Sequence, residues 1–316
     1  VHEIDVIRRM RQNFPVSPRQ RNAPFSCDSE LVELGAVLYG LSMDEFSPEE
    51  DQLPSDDPET LGGNLAVAVI ADILAAGCIP EFYMHAVTAP AYDAGFCEAL
   101  ARGVQNVLAG GDCFLLGGDY GQSGHSWRYT GFAMGRTGER GALTRIIPAE
   151  PQLLWITGTV GDGNCHALRG TMPYFEPRFT EAQAIRRIAT ACMDTSGGLA
   201  EGLLTLSLCN PGHRFDVDVS SLPLDLAACA AANALGLPEA VFAFGGAGEY
   251  ELLFTSPADE PIPGATRIGE VRKTGNDHSG VYWNGSRLEG LPDARSFADR
   301  KEYISKLLAM VGSCLS

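Results

Sequence analysis

Asp72 lies in "AVIADILAAG", a run of alanine, valine, isoleucine and leucine. A carboxylate in such company is costly unless it is paired or bound to a cation. Two roles follow: it caps the amides of a neighbouring loop, or it holds a metal ion. Asp119 ends the apolar strand "LLGGDYG" beside two glycines that let backbone amides approach a ligand, a place suited to phosphate oxygens and a bridging Mg²⁺. The same Gly-Gly-Asp is common in hairpin turns. Asp194 stands in "MDTSGGLAEGL", where Asp, Thr and Ser run through a glycine pair into an apolar helix start, as in a phosphate or metal site. Asp44 in "LSMDEF" and Asp28 in "FSCDSE" are further strand-end acids, each by itself a solvated surface carboxylate. Arg145 in "GALTRIIP" is by itself a surface arginine or a phosphate clamp.

Other chemistries find little support. His85 lies on an apolar strand and reads as a core or interface residue, while His125 and His166 have no serine elbow or second histidine at ligand spacing. The nine cysteines are scattered without a CxxC pair, which fits reduced, mostly buried thiols better than disulfides or zinc. A net charge of −17 argues against nucleic-acid binding, because a phosphate backbone needs a basic footprint. No run approaches the roughly 18 to 20 uninterrupted apolar residues of a membrane span, and "VHEIDVIRRMRQNF" is too charged for a signal peptide. The expectation is a cytoplasmic protein with no membrane partner.

These acids need elements to position them. The length of 316 residues suggests two domains, with "IIPAEPQ" as the boundary: a lead-in helix and loop over 1–24, a first domain over 25–148 and a second over 149–316. "ELGAVLYGLSMDEF" reads as a strand pair or as a strand and bend, and "FSPEEDQLPSDD" as a loop without periodicity. Asp57 as cap and Pro58 at the first helical position open a helix that is apolar on nearly all faces, hence buried. Strand "EFYMHAVTAP", helix "DAGFCEALARGVQNVLAGG", strand "CFLLGGDYG" leading into a glycine turn, and strand "WRYTGFAMGRT" follow. "PQLLWITGTVGDGNCHAL" reads as strand, glycine turn and helix. Helices over 180–192 and 197–209, strands near 213–219 and 250–255, and an Asn284-Gly285 hairpin over 280–288 complete an α/β (α+β) chain.

Taken together, "LSMDEF", "NLAVAVIADILAAG", "LLGGDYG", "GALTR", "LLWITGTVGD", "MDTSGGLAEGL" and "GEYELLFT" resemble, in that order, the thiamine-monophosphate kinase branch of the superfamily of aminoimidazole ribonucleotide synthetase. That superfamily, called PurM-like, also holds selenophosphate synthetase and a hydrogenase-maturation protein. The spacings of 28 residues from Asp44 to Asp72 and 47 from Asp72 to Asp119 match those of the family's aspartates. The resemblance, over about residues 25 to 290, implies a two-domain fold: an N-terminal mixed sheet with helices that pairs in a homodimer, and a C-terminal α/β sandwich. It implies ATP held through several Mg²⁺ ions, with Asp28, Asp44, Asp72, Asp119 and Asp194 similar to metal ligands. Gly118, Asp119, Arg145 and Ser196 match positions that touch ATP, Glu249 falls at a substrate position, and no catalytic residue is distinct from this set. Phosphoryl transfer is catalysed mainly by positioning and charge neutralisation, which metal-loaded carboxylates supply.

The chain departs from the family at specific places. Where the motif reads Asp-x-Ser-Asp-Gly-Leu, Gly197 replaces the second aspartate. Gly248 and Glu249 stand for a Glu-Asp pair, Glu45 stands for a threonine, and "SCDSE" reduces a Gly-Asp-Asp motif to Asp28. Most departures fall on substrate or auxiliary metal positions. The leading expectation is therefore ATP- and Mg²⁺-dependent phosphoryl transfer to a small molecule other than thiamine monophosphate. Two alternatives stand beside it: a synthetase that activates a substrate oxygen by phosphorylation, and a degenerate homologue that binds nucleotide or a partner without turnover.

Overall fold

The computed structural model describes residues 3–51, 53–90, 93–122, 126–148, 151–257, 259–297 and 300–315. Helix α1 (Glu3–Arg11) precedes strands β1 (Glu30–Leu34) and β2 (Val37–Phe46), helices α2 (Pro48–Asp51) and α3 (Pro58–Ala75), strand β3 (Cys78–Ala89), helix α4 (Ala94–Gly110), and strands β4 (Phe114–Gln122) and β5 (Arg128–Thr137). Then come β6 (Gln152–Thr157), α5 (Asp162–Arg169), α6 (Phe179–Ile188), β7 (Ala191–Asp194), α7 (Leu199–Cys209), β8 (His213–Val217) and α8 (Leu226–Ala234). Strands β9 (Leu252–Ser256), β10 (Ala265–Lys273), β11 (Gly280–Trp283) and β12 (Ser286–Leu288) and helix α9 (Arg300–Leu315) end the chain. The strands form two mixed sheets, ordered β1-β2-β5-β3-β4 and β12-β11-β8-β10-β6-β9-β7.

Helix α3 is the hinge of the arrangement. The Asp57 carboxylate accepts from the Thr60 amide at 3.1 Å, and Pro58 fills a position whose amide has no helical partner. The helix packs against β2, β3 and β5 of the first sheet, against α4, and against β7 of the second sheet. That explains why Leu61, Leu65, Val69, Ile70 and Ile73 are all fully buried although they point in different directions. Its length and apolar character would suit a membrane span, but 72% of it is buried inside the protein, as a core helix.

Close approach of α3 to α4 depends on missing side chains. A Cβ on Gly103 would lie 1.9 Å from the Glu59 carbonyl oxygen and 2.7 Å from the Gly63 nitrogen. Gly103→Ala is therefore expected to cost about 3 kcal/mol through forced helix separation. Gly63→Ala meets only contacts at 3.8 Å and beyond, so it is expected to be neutral or to stabilise by up to about 1 kcal/mol. Urea denaturation of the two variants checks the contrast.

The first sheet has two unlike faces. Cross-strand rows Ser42–Ala133–Tyr83 and Asp44–Gly131–His85 face α3, since a Cβ on Gly131 would meet Val69 of that helix. Alternation puts the rows Met43–Phe132–Met84 and Glu45–Thr130–Ala86–Asp119 on the opposite, outer face. Met43, Met84 and, on β4, Phe114 are exposed.

Several expectations need correction. The glycines of "LLGGDYG" do not turn the chain: β4 runs through them because parallel pairing with Met84–Ala89 of β3 satisfies their backbone groups. The loop expected over 46–57 contains the short helix α2. The helix expected over 180–192 stops at Ile188, and Ala191–Asp194 is a strand because it pairs with β9 at the sheet edge. Helices α8 and α9 and strand β10 carry no expectation from the sequence. Asn284 and Gly285 do make the hairpin turn, both at positive φ. His125 and part of the boundary near 149 lie outside the described residues.

Candidate functional site

Three acids from distant parts of the chain meet where α3 crosses both sheets. Asp72 projects from α3, Asp194 ends β7, and Asp28 lies in the loop before β1; one carboxylate oxygen of each lies within 4.8 Å of the other two. The loop is tied to the helix by the Ser29 hydroxyl, which donates to the Asp72 carbonyl at 3.0 Å. The segment carrying Arg145 lies alongside: the Arg145 amide donates to the Ser26 carbonyl at 2.8 Å, and the Cys192 amide of β7 donates to the Thr144 carbonyl at 3.0 Å. Arg145 Nε consequently donates to Asp28 Oδ1 at 2.9 Å. Ser42, two residues before Asp44 on the same face of β2, donates its hydroxyl to Asp72. The Ser196 hydroxyl donates to Asp194 Oδ1 at 3.2 Å.

The electrostatics are unfavourable without a cation. Burial, then the charges of Asp44, Asp194 and Asp28, push the Asp72 carboxyl well above the ordinary range. Burial and the Asp28 charge push Asp194 up to about 8, against the pull of Arg145. Burial raises Asp28 as well, although Arg145 opposes it. Oδ2 of Asp28 and Oδ2 of Asp194 are buried and accept no hydrogen bond among the described residues. Buried polar atoms are nearly always satisfied, so two orphan carboxylate oxygens beside a third acid are what a hard divalent cation would complete. The residues thus fit Mg²⁺.

The other expected site residues sit differently. Asp44 lies on the inner face near enough to raise Asp72 and Asp194. Gly118 and Asp119 are exposed on β4, with Asp119 Oδ1 accepting from the Tyr120 amide at 2.9 Å. Asp119 occupies the outer-face row, so the fold does not bring it to Asp28, Asp72 and Asp194. Glu249 is buried, its carboxylate accepting from the Gly161 amide before α5 and its Oε2 without a partner. Glu45 pairs with Arg128 at 2.9 Å on the outer face. Two residues were not singled out from the sequence. Ser42 was legible from its period-two spacing to Asp44. Tyr250 lies inside a quoted motif; burial and then the charge of Asp194 raise its phenol, so it borders the acid cluster. Its left-handed backbone, φ 55°, gave no sequence signal.

The chain is similar to known proteins in sequence and in fold. The family AIR synthase related protein, N-terminal domain, matches residues 39–137. The thiamine-monophosphate kinase of Corynebacterium glutamicum is 31% identical over 245 residues, covering 71% of this chain and 72% of that protein. Among solved structures, thiamine monophosphate kinase from Aquifex aeolicus superposes with a TM-score of 0.75 at 22% identity, over 91% of this chain and 97% of that one. AaThiL complexed with AMPPCP and TMP gives 0.79 at 22% identity, over 91% and 95%. The fold is the PurM-like one, and the chain belongs to the thiamine-monophosphate kinase family, a family of ATP-dependent phosphotransferases.

Proposed function

We propose that this chain transfers the γ-phosphoryl group of ATP, with Mg²⁺, to a small acceptor that differs from thiamine monophosphate. The observation that carries the phosphotransferase reading is the trio Asp28, Asp72 and Asp194 with its two orphan oxygens. Those three, with Asp44, would hold Mg²⁺, and bound Mg²⁺ would neutralise phosphate oxygen charge. Arg145 and Ser196 border the cluster and are assigned to the triphosphate. Gly118 is assigned to it from its motif alone, whereas Asp119, on the outer face, is not. The chain's contribution is to hold both reactants in line and keep the acids in place, the main demand of phosphoryl transfer.

The altered acceptor is supported by what stands on the substrate side. Glu249 is drawn inward to the Gly161 amide, and Glu45 replaces the family's threonine. Incubation of pure protein with ATP, Mg²⁺ and thiamine monophosphate tests it. No diphosphate is expected at an ordinary enzymatic rate of about 1 per second or more, whereas formation at that rate would overturn the altered acceptor and leave the phosphotransferase reading standing. We also infer a homodimer through the outer face of the first sheet, supported by the exposed apolar side chains of Met43, Met84 and Phe114. A cytoplasmic location and a division into 25–148 and 149–316 accord with this reading.

A further inference from the structure

A cavity of about 420 Å³ opens between the start of β3, the end of α4 and helix α6, and none of Asp28, Asp72 and Asp194 lines it. Leu74, Ile79, Phe82 and Phe179 give it apolar walls, and Arg136 and Arg186 reach it with guanidinium groups. Small-molecule sites have volumes of about 300 to 1,000 Å³.

Helix α6 builds one wall. A Cβ on Gly111 would collide with the Phe179 ring, so the ring reaches the turn after α4 only because that residue has no side chain. Arg186 stands seven residues further along the same helix, two turns on and on the same face. Its stem passes Gly138, where a Cβ would lie 3.6 Å from Arg186 Cδ. One helix face thus presents an aromatic plate and a cation to the same cavity.

The charge at Arg186 is not balanced. Of the acids on the wall, Glu81 pairs with Arg136 and Asp112 is exposed in the turn after α4. Among the described residues no carboxylate pairs with Arg186. Burial lowers its pKa from the usual arginine value; the Cys78 thiol opposes this, and the like charges of Arg187 and Arg136 lower it further. A guanidinium keeps its proton all the same, so a half-buried cation stands without a counter-ion in a chain of net charge −17. A cation in the last turn of a helix has a purely structural role available, and Arg187 beside it can serve that role.

We propose that this cavity binds a small organic oxyanion, a carboxylate or phosphate ester carried on a flat apolar body. The oxyanion takes the planar fork of Arg186, and the body lies against Phe179 and Ile79. The site is separate from the acid cluster and stands whether or not the phosphotransferase reading does. An occupant touches α6 on one side and β3 and Leu74 of α3 on the other, and by binding only the folded chain it stabilises the fold.

The test is ligand-observed NMR in EDTA with phenyl phosphate, benzoate and the neutral benzyl alcohol, together with melting temperatures. In EDTA the acid cluster holds no cation and repels anions. At least one of the two anions is expected to bind with a Kd of about 1 mM or below and to raise the melting temperature, with benzyl alcohol at least about tenfold weaker. Arg186→Gln is expected to weaken the anion about tenfold or more and to leave benzyl alcohol unchanged. Gln183→Glu, a change at an exposed position one turn from Arg186, sets a carboxylate at the same cavity and is expected to weaken the anion likewise, which keeps the test open if Arg186→Gln folds poorly. No binding of either anion at about 10 mM, or benzyl alcohol binding as well as the anions, would overturn the proposal. So would anion binding unchanged in Arg186→Gln with only a lowered melting temperature, which would mean that Arg186 serves the helix terminus.

Discussion

Asp72→Asn is expected to stabilise the metal-free protein and to lower phosphoryl transfer by about a hundredfold or more. The two effects have one cause. Asp72 is raised well above the carboxylate range by burial and by Asp44, Asp194 and Asp28, so its ionised form is costly in the empty site. Asparagine keeps the shape, and its carbonyl can still accept from the Ser42 hydroxyl, but it brings no charge. At pH 8 the substitution removes repulsion among the acids and should raise the melting temperature by a few degrees in EDTA. Turnover suffers because one oxygen ligand for the cation becomes neutral. Such opposition between stability and activity is what a strained functional site produces. A melting temperature unchanged or lowered in EDTA would show that Asp72 is not under electrostatic strain, and ADP release at the wild-type rate would remove it from the site.

Stability of the metal-free protein is expected to fall as pH rises from about 5.5 to 8. Asp194 stands at about 8 in the fold, and Asp72 and Asp28 are raised too; in the unfolded chain an aspartate titrates near 3.9. Between those values the folded protein holds protons that the unfolded chain has released. The sign follows: this contribution is fully present below the unfolded value and is lost as pH climbs through the folded one. The slope is at most about 1.4 kcal/mol per pH unit for each proton held. Surface carboxylates are already ionised at pH 5.5 and add little to the trend. Urea denaturation in EDTA measures it, and Asp72→Asn should make the slope shallower while leaving any histidine contribution intact. Added Mg²⁺ should flatten the slope, since the cation competes with the protons for the same oxygens. A wild-type profile in EDTA that is flat across this range would contradict the raised values.

These expectations draw unequally on sequence and fold. Helix α3 could be read directly, because Asp57, Pro58 and an all-apolar run act over a few neighbouring residues. The hairpin at Asn284 and Gly285 was equally legible, since two residues that tolerate positive φ suffice to turn it. Strand β7 was not: four residues carry almost no periodicity, and only pairing with β9 makes Ala191–Asp194 extended. The path of β4 was hidden for a related reason, because Gly117 and Gly118 look like a turn until β3 is beside them.

For the candidate site, the sequence by itself determined which residue types are present, the order of the motifs and the departure at Gly197. Each of these is a matter of identity and spacing along the chain. Only the tertiary structure decided which of them meet. Arg145 reaches Asp28 across 117 residues of chain, and Asp28, Asp72 and Asp194 converge because α3 packs against both sheets at once. The tertiary structure also puts Asp119 on the outer face, turns Glu249 toward the Gly161 amide and, among the described residues, leaves Oδ2 of Asp28 and of Asp194 without a donor. Burial and charge proximity are properties of through-space distance, and the raised acids that make this cluster suited to a cation exist only once the chain has folded.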